Sequence, residues 1–247
     1  MLTRNVADGI HLIEHAYTNV YLVEGDGEVM IIDSGLPAAQ HEISGAVRSL
    51  GYGPGSVSAI VLTHGHFDHV GTAAKLRTEF RAPVLADPAD HYIAAHPYRY
   101  AHERARFQYP IRFPGSLRQL GAMTMAGALM VRGVADVHAL DAGSAAVLPG
   151  APQVIPTPGH TAGHVSLHFP DRGALIAGDA LVTLNPYTGH RGPQIVSGAA
   201  TANSAAALES LNALAETRAP LLLTGHGDPW TAGVESAVGQ ALAHGAS

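Results

Sequence analysis

The sequence predicts an α/β fold in four layers, an αββα sandwich in which two sheets face each other and helices cover the outside. Three observations carry this. Short apolar runs bounded by Gly, Pro or Thr, such as Ala59-Ile60-Val61-Leu62 and Leu221-Leu222-Leu223, read as buried strands. The runs come in clusters with helical stretches between them. No Gly/Ser-rich linker divides the 247 residues, so 1–247 reads as one domain with a helical and loop insertion at 87–135.

Near the start, Ile10–His15, Asn19–Glu24 and Glu28–Asp33 read as strands, the last two joined by the turn Gly25-Asp26-Gly27. Pro37 suits the first turn of a helix reaching Leu50. A loop at Gly51–Ser56 leads into a strand at Val57–Thr63, a helix over Val70–Phe80 and a strand at Pro83–Ala86. Strands resume at Val137–Leu140, Ala145–Leu148, Val154–Thr157, His164–Phe169 and Ala174–Ala177. Leu184–Gly198, rich in Gly and Pro, reads as a loop. Helices at Ala202–Thr217 and Thr231–His244 flank a last strand at Leu221–Thr224.

Residues 87–135 differ in composition. They hold Arg99, Arg104, Arg106, Arg112, Arg118 and Arg132, six of the 14 basic residues, together with six Tyr and Phe side chains. No strand alternation is visible, so the segment reads as helix and loop, and as a lid or pocket wall whose Arg side chains either grip an anion or decorate a solvated face. Apolar residues around Met123–Val131 pack either on the core or on a second copy, which leaves a homo-oligomer open.

Composition excludes several classes of chemistry. There is no Cys, hence no disulfide, thiolate nucleophile, Cys-zinc site or iron–sulfur cluster. The net charge of −6 argues against a nucleic-acid partner. No apolar run approaches the ~18 residues that span a bilayer, and no signal peptide is visible at the start, so cytoplasmic residence without membrane contact is expected. Sixteen His is the compositional outlier.

Four apolar runs stop directly before a potential metal ligand. One precedes His64-Gly65-His66-Phe67-Asp68-His69, and the others precede His160, Asp179 and His226. Ligands at several strand ends can converge on one sheet edge. Seven N and O donors suffice for two ions, and two adjacent ions generate hydroxide from water at neutral pH. Gly65 lets the turn bend tightly. A carboxylate such as Asp179 has two oxygens and can bridge. His and Asp donors suit Zn2+ first, with Mn or Fe as alternatives. Asp33 reads either as a carboxylate holding a ligand His or as a turn cap, and His164 either as a similar donor or as a packed strand residue. Thr63 and Thr161 orient ligands or cap turns. Asn19 satisfies backbone groups.

The motif H-x-H-x-D-H, the later Thr157-Pro158-Gly159-His160-Thr161 with Gly163-His164, Gly178-Asp179 and Gly225-His226-Gly227 together resemble the metallo-β-lactamase-fold hydrolase superfamily over essentially the whole chain. The resemblance implies the αββα fold with its metals at a sheet edge. It implies that His64, His66 and His160 hold one ion, that Asp68, His69 and His226 hold a second, and that Asp179 bridges. It further implies hydrolysis of a small ester, thioester or lactone, with hydroxide between the ions attacking the carbonyl and Asp68 also handling the proton. Tyr187 either donates to the substrate carbonyl or packs its loop. Two other readings stay open: a mononuclear iron enzyme resembling persulfide dioxygenases, and a metal-binding protein without turnover. The superfamily's hydroxyacylglutathione hydrolases carry a helical C-terminal extension, for which the 68 residues after Asp179 leave little room.

Overall fold

The computed structural model describes residues 1–247. Seven strands form one sheet in chain order: β1 (Leu2–Ala7), β2 (Ile10–His15), β3 (Thr18–Gly25), β4 (Glu28–Ile32), β5 (Val57–Val61), β6 (Val84–Ala86) and β7 (Val137–Ala139). β1 to β4 pair antiparallel, and β4 to β7 pair parallel. The later strands are β8 (Gln153–Pro156), β9 (Val165–Phe169), β10 (Ala174–Ile176), β11 (Val182–Leu184), β12 (Arg191–Gln194) and β13 (Leu221–Leu223). A second sheet takes the order β13-β10-β9-β8, and β11 and β12 pair as a separate hairpin.

Nine α-helices join them: α1 (Gln40–Ser49), α2 (Phe67–Val70), α3 (Ala73–Phe80), α4 (His91–Ala95), α5 (Gln108–Arg112), α6 (Leu117–Met125), α7 (Ala142–Ala145), α8 (Ser204–Glu216) and α9 (Val234–His244). No helix is long and apolar enough to cross a membrane.

The layers follow from side-chain alternation along doubly buried strands. Ile60 and Leu62 point to one side, where they meet Ile43 and Val47 of α1 and Leu76 and Phe80 of α3. Ala59 and Val61 point to the other, where they meet Leu167, Phe169 and Ile176 of the second sheet. On that sheet's far face Leu175 and Leu222 pack on Leu211 and Leu214 of α8 and Val238 and Ala241 of α9. Two sheets thus enclose a middle core, and helices seal an outer core on each side, giving the predicted αββα order.

Three local expectations fail. β1 and the β11–β12 hairpin are strands that sequence patterning misses, and Ala145–Leu148 is the end of α7 and a turn instead of a strand. Residues 87–135 form α4, α5, α6 and short 3-10 turns with no strand. Met123, Ala126, Ala128 and Val131 pack into the core beneath α6, while Met125, Leu129 and Met130 are exposed.

Candidate metal centre

The first motif leaves β5 through Leu62 and Thr63, which stay tied to neighbouring strand ends: Leu62 N donates to Leu85 O and Thr63 N to Asp33 Oδ1, each at 2.8 Å. The chain then turns into α2, whose single turn directs Asp68 and His69 inward, both buried. Gly65 serves close packing more than bending. A β-carbon there would lie 2.6 Å from Ile93 Cγ1 and 2.7 Å from Ala94 N of α4. The two sheets meet at this edge, where Val165 N donates to Thr63 O at 2.9 Å.

His160 lies in the loop between β8 and β9, Asp179 follows β10, and His226 follows β13. All seven side chains converge. The donor atoms of His64, His66 and His160 lie within 4.8 Å of one another, as do those of Asp68, His69 and His226, and those of His64, His69 and Asp179. The Asp179 carboxylate stands between the first two groups: Oδ2 is 3.5 Å from His160 Nε2 and 3.2 Å from His226 Nε2, and Oδ1 is 3.6 Å from His69 Nε2. Gly225 must lack a side chain, because a β-carbon there would overlap Asp179 Oδ1.

The outward ring nitrogens are tethered. His64 Nδ1 donates to Thr63 Oγ1 at 3.0 Å, a hydroxyl whose own proton goes to Asp33 Oδ2. His69 Nδ1 donates to the same Asp33 oxygen at 2.8 Å. His160 Nδ1 donates to Thr201 Oγ1 at 3.1 Å, which in turn donates to Val196 O. His226 Nδ1 donates to Tyr17 O at 2.6 Å. A ring held through Nδ1–H presents the Nε2 lone pair inward. The ring of His66 packs against Tyr100, tilted by 34° with centroids 3.7 Å apart.

Nε2 of His64, His66, His69 and His160 and Oδ1 of Asp179 are buried without any hydrogen-bond partner. Buried polar atoms are almost always satisfied, so five orphans converging on one point fit a cation as their common partner. The donor set, nitrogen and carboxylate oxygen without sulfur, suits a divalent transition metal.

Electrostatics divide the rings. Burial pushes His64 and His66 well below the ordinary imidazole value. Burial also takes His160 down to about 3, against the pull of Asp179. On His69 burial acts the same way, but Asp33, Asp179 and Asp68 outweigh it and push the ring up to about 9. His226 is likewise raised, with burial overcome by Asp179 and Asp68. Asp179 and Asp68 are held below the carboxylate range: burial opposes this, and the facing His226 and His69 prevail.

His164 is not among the convergent donors. Its Nε2 accepts from Asp179 N at 3.0 Å and its Nδ1 donates to Thr157 Oγ1 at 2.8 Å, so both nitrogens are spent on holding Asp179 in place. Asn19 satisfies backbone as expected, donating through Nδ2 to Thr224 O and Gly227 O on either side of His226. Thr161 donates to Asp90 Oδ2 at 2.7 Å.

A sequence profile of the metallo-beta-lactamase superfamily matches residues 15–226. The chain belongs to that superfamily. Among superfamily relatives, a probable metallo-hydrolase of Bacillus subtilis, YflN, is 31% identical over 91% of this chain and 86% of its own length. Hydroxyacylglutathione hydrolase of Cereibacter sphaeroides is 28% identical over 65% of this chain, a match that covers 46% of the enzyme. Among solved structures, a metallo-beta-lactamase family protein from Thermus thermophilus superposes with a TM-score of 0.67 at 26% identity, covering 96% of this chain and 79% of that one. The protein TTHA1623, solved in a di-iron-bound form, superposes with a TM-score of 0.62 at 26% identity, covering 91% and 95%.

Two residues of this superfamily member escaped sequence reasoning. Buried Asp90, at the start of the insertion, accepts from Gly65 N and Thr161 Oγ1 through Oδ2 and from Gly163 N through Oδ1, and so bolts the first ligand loop to the His160 loop. Thr201, which tethers His160, sits in the Gly- and Ala-rich segment before α8, where nothing local marks it.

Proposed function

We propose that this superfamily member is a dinuclear metal-dependent hydrolase of a small ester, thioester or lactone. A pair of three-donor groups facing a shared carboxylate supports this most directly, with Nε2 of His64, His66, His160 and His69 and Oδ1 of Asp179 left without a partner. His64, His66 and His160 would hold one ion, Asp68, His69 and His226 the other, and Asp179 would touch both. Bound divalent ions supply a water acidified toward neutrality and a Lewis acid for a carbonyl oxygen.

The chain's own residues do the rest. Asp68 is ionised at neutral pH, as a proton acceptor requires, and its Oδ2 lies 3.4 Å from His226 Nε2. It takes up the proton that the attacking water loses. Tyr187 keeps its phenol proton, because burial pushes the group up to about 12, and it serves as a donor to the substrate carbonyl. Residues 87–135 form a lid, and a small molecule is the substrate. Relatives named as a metallo-hydrolase and as hydroxyacylglutathione hydrolases support a hydrolytic reaction. Zinc is the first choice of metal, with iron next because a similar protein holds two irons. Cytoplasmic residence belongs to the same reading.

The test is Asp179→Ala, assayed against a panel of aryl esters, thioesters and lactones alongside elemental analysis. Metal content and hydrolysis fall together in the variant. Hydrolysis that survives the loss of this carboxylate contradicts a dinuclear centre.

A further inference from the structure

A pocket of about 200 Å³ opens directly beside the candidate centre, reaching His160 on one wall and Tyr100 on another. At ~30 Å³ per water-sized group it holds a chain of about six heavy atoms. Ile93, Ala101 and Ala162 make much of its lining apolar. The Tyr100 ring forms another wall and leans on the His66 ring, while its hydroxyl is buried against Tyr187. The pocket therefore accommodates methylene groups.

Two charged residues line it. Asp90 is buried and its carboxylate is spent on Gly65, Thr161 and Gly163. Arg99 is exposed, and the one hydrogen bond of its guanidinium is a long 3.5 Å contact to Tyr92 Oη. The charge available to a ligand is thus positive. The whole insertion repeats this bias: residues 87–135 hold six Arg against Asp87, Asp90 and Glu103, in a chain of net charge −6. The ion pairs of Arg48, Arg77 and Arg191 all lie outside the insertion, and none of its six Arg has a carboxylate partner. Of these cations Arg99 is the one at the pocket, and an unpaired cation there suits an anionic ligand.

We propose that the pocket beside His160 receives a short apolar acyl chain ending in a carboxylate, with Arg99 as the receptor for that carboxylate. The substrates of the centre are then esters or thioesters of short dicarboxylic acids. This deepens the hydrolase reading and rests on it for the reaction, though not for the binding of the anion. Arg99 is a specificity residue and takes no part in bond cleavage.

Two measurements on the full-length protein as purified test this. The first compares kcat/KM for 4-nitrophenyl hydrogen glutarate and 4-nitrophenyl pentanoate, which differ chiefly in the terminal carboxylate. The wild type favours the glutarate ester. Arg99→Ala narrows the ratio by about tenfold, chiefly through KM, and Arg99→Lys restores part of it. Arg118→Ala, which removes the same charge away from the pocket, leaves the ratio alone. The second measures glutarate binding by calorimetry, where Arg99→Ala weakens binding about tenfold and Arg118→Ala does not. If neither ester turns over while glutarate binding still depends on Arg99, the hydrolase reading fails and the anion pocket stands. An unchanged ratio or an unchanged glutarate affinity in Arg99→Ala overturns the pocket. Equal losses in Arg99→Ala and Arg118→Ala also overturn it, by reducing the effect to bulk charge.

Discussion

Asp33 accepts three hydrogen bonds at 2.8 Å, from Thr63 N, Thr63 Oγ1 and His69 Nδ1. Through Thr63 it also sets the tautomer of His64, so one carboxylate orients one ring in each three-donor group. It does so from a left-handed backbone conformation, φ +59°, which Asp tolerates better than most residues. Removing it frees two rings to turn. Asp33→Ala should lower metal affinity roughly 10–100-fold, the usual effect of losing a group that holds a ligand. Competition against a chelator measures this, and unchanged affinity contradicts it. Protonation gives a second prediction. A chelator-stripped protein carries protons on His69 and His226 at neutral pH, and a cation must displace them. Metal affinity should therefore rise with pH through about 9, where His69 loses its proton unaided. Calorimetric titration in buffers of different ionisation enthalpy reads this as proton release, and uptake without release contradicts it. The donors themselves were legible because His and Asp crowd the ends of apolar runs. Thr201 was not, since a threonine in a loop carries no mark of the ring it holds 41 residues away.

At the scale of elements, the centre depends on loops that share no strand. Asp90 joins two of them through three hydrogen bonds, and a cavity in its place leaves two backbone N–H groups and one hydroxyl buried without an acceptor. Each such donor costs roughly 1–3 kcal/mol, although losses from one residue do not add. Asp90→Ala should destabilise by about 3 kcal/mol and expose the Gly65 and Gly163 amides to hydrogen exchange. Denaturant unfolding within about 0.5 kcal/mol of the wild type contradicts the bolt. The doubly buried strands were readable because both faces are apolar. β1 was not: it is a half-exposed edge strand broken by Asn5 at φ +52°, and alternation fails there. The β11–β12 hairpin was hidden by Gly192 and Pro193 inside β12. Ala145–Leu148 looked like a strand because it is apolar and short, but the capping box of Asp141 and Ser144 starts a helix just before it. An Asp three residues ahead of a Ser was the available signal.

For the whole molecule, the sandwich brings the ligand-bearing loops of two sheets to one edge. β4, β5 and β6 run parallel in the first sheet and end at Asp33, at the His64 motif and near Asp90. β10 and β13 run parallel in the second and end at Asp179 and His226. Parallel pairing sets Asp33 beside the His64 motif and Asp179 beside His226, and the packing of one sheet on the other brings the two edges together, so residues more than 160 apart in sequence, such as His64 and His226, belong to one centre. The middle core then sets the spacing between the edges. The most direct test of the account is the number and position of bound metals, read by elemental analysis of the purified protein and by anomalous diffraction from its crystals. Two ions per chain are expected, one among His64, His66 and His160 and one among Asp68, His69 and His226, with Asp179 against both. A single iron per chain held by the first group alone, or metal bound away from these residues, would contradict it.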